Sequence, residues 1–197
     1  MDHRNLWIMA AALLSACSRP ADTNPANNVV EEAGNGSAAV LPDGGNSTAP
    51  LVPPAPGTPG GLPDDKTPLE EPQGPIDPKS AEAAGQVMQQ YGALLEQGRL
   101  AEARKLWGDS GLTDKQFASR FADYSEIHAQ VGKPGDTEGA AGSIYVTVPF
   151  VLYGRLKAGG TFNRSGTATL RRVNDVDGAT PAQLRWHISQ IDLKPAG

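Results

Sequence analysis

The second half of this chain predicts an α+β domain: three helices packed on a curved, cone-like antiparallel sheet of four strands, preceded by a long disordered linker. Three observations carry the prediction. Apolar residues recur at helical spacing from about residue 80 and at alternate positions after about residue 126. The strand-like runs are joined by short turn-forming stretches, which suit antiparallel neighbours. Ten of the 11 aromatic residues lie beyond residue 90, whereas 13 of the 17 prolines lie between residues 18 and 78. Composition thus separates a core-forming part, 79–197, from a spacer. Its length of about 119 residues suffices for one core, and helices first with strands after is a two-layer architecture.

Ser80 caps the first helix, with Glu82 in its first turn. Ala84, Val87, Met88, Tyr91, Leu94 and Leu95 form its apolar stripe, and Gly98 stops it. Leu100, Ala103, Leu106 and Trp107 share one face of a second helix. Thr113 and Gln116 have capping-box spacing and open a third, with Phe117, Phe121 and Tyr124 inward. Ile127, Ala129 and Val131 then alternate as a strand, ended by Lys133-Pro134-Gly135-Asp136. A long strand is expected from about Gly142 to Leu156. Pro149 inside it donates no ladder bond and implies a bulge or an edge position. Lys157 to Gly160 is a hairpin turn, Thr161 to Val173 a third strand, and Leu184, Trp186 and Ile188 mark a last one.

The run Arg99-Leu100-Ala101-Glu102-Ala103-Arg104-Lys105-Leu106-Trp107 follows a helix and a Gly turn, and Arg185-Trp186-His187-Ile188 opens the final strand. This pattern, over roughly 79–193, resembles the nuclear transport factor 2-like superfamily. The resemblance implies a space between sheet and helices, for which Trp107, Phe121, Phe150, Arg164 and Trp186 are the candidate lining. Members include isomerases, cyclases and domains without activity, so the fold does not select a function. In catalytic members an Asp or His projects into that space. By alternation the inward strand positions here are aliphatic or aromatic, with Arg164 the main polar exception. Asp123 and Asp192 stand at element ends where either reaches a pocket mouth. His187 and His128 fall on the far face. Asp175-Val176-Asp177-Gly178 lacks calcium ligands at the first and twelfth loop positions and reads as a polar hairpin loop. Two His beyond the leader and one Cys leave no metal site, and no cofactor is expected. No catalytic set is assigned.

The N-terminal end gives an address. Leu6 to Leu14 is a nine-residue apolar core, the length of a signal peptide and too short to cross a bilayer. Leu14-Ser15-Ala16-Cys17 follows it and resembles the lipobox of bacterial lipoproteins. That resemblance implies a signal peptide over 1–16 and a lipid-bearing Cys17, the only Cys in the chain. Ser18, where Asp would favour inner-membrane retention, leans toward the outer membrane on its periplasmic side. Residues 17–78 then form the linker, with about −7 charge in 18–78 and a coil dimension of about 45 Å.

The net charge of −5 gives no basic face for nucleic acid. The expected partners are the membrane, through Cys17, and a protein or second copy through the Tyr/Thr/Arg/His sheet face. A small apolar ligand between sheet and helices, with or without turnover, is the alternative.

Overall fold

The computed structural model describes residues 50–108 and 110–195. The expected signal peptide, Cys17 and the linker up to residue 49 lie outside the described residues. The chain forms helices α1 (Ala81–Glu96), α2 (Leu100–Lys105) and α3 (Asp114–Ser119). Strands β1 (Tyr124–Val131), β2 (Glu138–Ala140), β3 (Ser143–Leu156), β4 (Thr161–Val173) and β5 (His187–Pro195) follow. The architecture is α+β, with an antiparallel sheet in the order β1-β3-β4-β5 and β2 pairing with β3.

The helix boundaries follow from capping. The Ser80 side chain accepts from Ala83 N–H at 3.3 Å. At the other end Gly98 adopts φ +69°, Gly98 N–H donates to Leu95 O, and Arg99 N–H donates to Leu94 O. That pair of bonds satisfies carbonyls that the helix leaves open. Thr113 and Gln116 close the expected capping box. Phe121 and Tyr124 fall beyond α3, in the following turn and at the start of β1.

The sheet has five strands among the described residues where the sequence predicts four. The fifth, β2, is three exposed residues joined to β3 by Ala141-Gly142, both at positive φ. This two-residue hairpin lacks the Asn-Gly signal that usually announces one. Pro149 causes no bulge, since β3 and β4 stay in register from Ser143↔Val173 to Arg155↔Thr161. It sits where β1 ends. Gly132 N–H donates to Pro149 O at 2.9 Å, and the return bond that Pro lacks falls at the last rung. The register shifts come instead between Tyr124 and Glu126 and opposite Thr169/Leu170, where Ser189 is the extra residue in β5. That second shift changes facing, so Ile188, Ile191 and Leu193 all pack with the core.

The core lies between α1 and one sheet face. Ala84, Met88 and Tyr91 of α1 meet Val146, Val148, Phe150, Ala168, Leu170 and Ile188. The last strand begins at His187, later than predicted. Leu184 and Trp186 precede it in a turn built by Thr180 and Gln183, which repeat the Thr113/Gln116 spacing.

The folded unit also begins earlier than residue 79. Residues 55–69 form a strap around the β1 edge. Thr58 and Gly57 close a turn onto Ala55 O and Leu62 O. Leu69 N–H donates to Val131 O at 2.8 Å and Lys133 N–H to Thr67 O at 3.2 Å, as an added rung beside β1. Leu62 is 1 % exposed. Two glycines seat the strap's leucines: a Cβ on Gly132 would stand 3.1 Å from Leu62 Cδ2, and one on Gly85 only 2.5 Å from Leu69 Cδ2. The linker predicted over 17–78 therefore yields its last part to the domain. The cause is tertiary: scattered leucines in a proline-rich stretch find burial on an existing sheet.

Candidate functional site

The space between helices and sheet is occupied by the protein's own rings. Phe150, Tyr91, Trp107, Phe117, Phe121, Tyr124 and Phe162 form a continuous series with neighbouring centroids 4.3 to 6.4 Å apart. Phe150 and Phe117 are fully buried, while Trp107, Phe121, Tyr124 and Phe162 are half-buried. Such offset and edge-on contacts add to area burial. Burial pushes the Tyr91 hydroxyl up to about 12, against opposing effects of the Trp107 indole and the Arg120 charge. This tyrosine stays neutral through the physiological range.

The candidate lining residues are not gathered into one cavity. Phe150 is core, Arg164 is exposed at the Leu152 and Pro195 register positions, and Phe121 sits within the ring series. Trp107 and Trp186 reach two different surface grooves.

Neither sequence-derived carboxylate faces the interior. Asp123 is exposed after α3, and its carbonyl accepts from Lys157 N–H at 2.8 Å. Asp192 is exposed and alternates with the inward Ile191 and Leu193, so it lies on the far face, where Gln190 Nε2 donates to it at 2.6 Å. The Ser189 shift produces this placement, and nothing in the local sequence signals it.

The histidines sit in built environments. His187 Nε2 lies 2.7 Å from Ala182 O, tying β5 to the preceding turn. His128 stacks on Tyr153 at 5.3 Å and contacts Glu126 at 2.9 Å. Glu126 is held below the usual carboxylate range by His128 and by Arg155, which donates to it at 2.8 Å. Asp175, in the polar loop, is likewise held low by Lys79 and by Arg172 at 2.7 Å. Arg172 is 3 % exposed, so this pair neutralises a buried cation.

Among the described residues, grooves on the flanks offer binding surface. One of about 510 Å³ lies between Trp107, Gly108 and Ser110 and the Arg171–Val173 end of β4, with His187 on its wall. A second of about 550 Å³ runs between the strap and the glutamines of α1. A third of about 560 Å³ lies between α1, the end of α2 and the Leu184–His187 segment. Phe121, Phe150 and Arg164 line none of them. Among the described residues no cluster of His, Cys, Asp and Glu is arranged to hold a metal ion, and no helix is long and apolar enough to cross a membrane. Compared with known proteins, the chain matches no family model, and neither a curated protein nor a solved structure is similar to it.

Proposed function

We propose that this chain is a lipid-anchored protein of the bacterial envelope whose folded part is a binding or interaction module rather than an enzyme. The anchor is Cys17, exposed by cleavage after Ala16. The membrane is the outer membrane on its periplasmic side, and the module is a filled, cone-like relative of the nuclear transport factor 2-like fold.

One observation carries the non-enzymatic part. The space where that fold places its chemistry holds seven rings in edge-on and tilted contact, while Asp123, Asp192, His128 and His187 lie outside it. A general base must come within hydrogen-bond reach of its substrate, and here no carboxylate or imidazole among the described residues does so in the interior. The surface grooves and the far sheet face remain for recognition. The address rests on the coincidence of the nine-residue apolar core with Leu14-Ser15-Ala16-Cys17.

Mass spectrometry of the protein isolated from an expressing Gram-negative envelope tests the anchor. The expected species starts at Cys17 and carries a diacylglyceryl group and an amide-linked acyl chain, and Cys17→Ser accumulates as the unprocessed chain. An unmodified Cys17 in the native protein overturns the proposal. Uptake of a small apolar ligand between Tyr91 and Phe150 in a crystal would overturn the filled-module reading.

A further inference from the structure

The third groove combines an apolar floor with a cationic rim. Ala83 and Val87 of α1, Leu106 and Trp186 form the floor, and Lys105 and Arg185 stand at the edge. Both cations are exposed, and neither has an ion-pair partner among the described residues. No Asp or Glu lines the groove. Carboxylates near the lining residues are engaged elsewhere: Glu82, beside Ala83, takes hydrogen bonds from its own backbone N–H and from the Ser80 side chain. Glu102, which feels Lys105, is gripped by Arg99 through bonds of 2.7 and 2.5 Å. Asp77, next to Pro78 on the rim, accepts from Lys79 N–H at 2.9 Å. Asp175 is shared by Lys79 and Arg172. Trp186 is 5 % exposed, and its buried Nε1 has no acceptor among the described residues.

We infer that this groove binds a small single-chain amphiphile with an anionic head, its apolar chain on Val87, Leu106 and Trp186 and its carboxylate between Lys105 and Arg185. Each part of the surface selects one part of that ligand. The apolar floor is the kind of surface that gains from leaving water. The two cations gain from a head that brings negative charge, and Arg offers a planar fork to a carboxylate. The volume of about 560 Å³ falls within the ordinary range for small-molecule sites and accepts a chain of about ten carbons. A neutral amphiphile forgoes the rim, and a short anion such as acetate forgoes the floor. The inference rests on the binding-module reading and names the ligand class that such a module would take.

The test is calorimetric titration of the full chain, purified without lipid modification, with decanoate and separately with 1-decanol, at concentrations that form no micelles. One decanoate per chain is expected, with decanol at least tenfold weaker. The double variant Lys105→Glu, Arg185→Glu changes only exposed side chains and is expected to weaken decanoate at least tenfold without altering the melting curve. Ala83→Phe, which fills the floor, is expected to abolish binding of both. Absence of decanoate binding overturns the inference, as does equal affinity for decanol or undiminished affinity in both variants. None of these outcomes touches the mass of Cys17 or the space between Tyr91 and Phe150, so failure here is a separate result from failure of the anchor or of the filled-module reading.

Discussion

Ala141 holds φ +47° in the turn between β2 and β3, a left-handed conformation that costs an L-residue with a Cβ about 1–2 kcal/mol. Asn and Gly tolerate it, and the first position of this hairpin type favours them. Ala141→Asn is therefore expected to raise stability by about 1 kcal/mol, seen as a higher urea midpoint with unchanged slope; a lower midpoint would contradict the strain. Asp175 offers a second residue-scale test. Its folded-state pKa is depressed, first by Lys79 and then by Arg172. The stability it contributes is thus present above the ordinary Asp value of about 4 and is lost as pH falls through the depressed one. Asp175→Asn should lower the melting temperature at neutral pH and flatten its fall below about pH 4. Identical acid limbs in the two proteins would show that the buried Arg172 does not depend on this carboxylate.

At the scale of elements, the strap is the feature with most to test. Leu62 is buried to 1 % on the side where Gly132 and Pro149 meet it. Leu62→Ala should cost about 2–5 kcal/mol, the range for truncating a buried leucine, measured by denaturant unfolding. A loss under about 0.5 kcal/mol, as for surface changes, would mean that the strap is not part of the fold. A chain starting at residue 79 should be less stable than one starting at residue 50. Elements with local signals were legible in the sequence: Ser80, Gly98 and Thr113 fix helix ends, and alternation between a Gly-Gly turn and an Asp- and Gly-containing loop fixes β4 over Thr161–Val173. The strap was not legible, because its evidence is two leucines separated by prolines and acids, and their burial depends on glycines 16 and 70 residues away, Gly85 and Gly132. The facing of Asp192 was hidden for a related reason, since a one-residue shift in β5 moves side chains across the sheet without altering composition.

For the molecule as a whole, part of each sheet margin beside β1 and β5 is covered, which limits edge-to-edge association there. At the β1 margin Thr67 and Leu69 supply backbone partners and Glu96 Oε1 accepts from Ala129 N–H at 2.8 Å. At the β5 margin Ile188 exchanges bonds with Leu106 and Gly108. The interior was legible as a hydrophobic face but not as a series of touching rings, since Tyr91, Phe117 and Phe162 come from α1, α3 and β4 and meet only in three dimensions. The strap also sets how the domain responds to force. A pull on the N-terminal segment reaches the turn at Ala55–Leu62 and the two backbone bonds at Thr67–Leu69 before it reaches Ser80 and α1. Those contacts lie in series ahead of the core, so they act as a mechanical fuse. Under tension the strap peels and the groove it shares with the α1 glutamines is lost, while the ring-filled layer and the groove at Lys105 and Arg185 keep their shape.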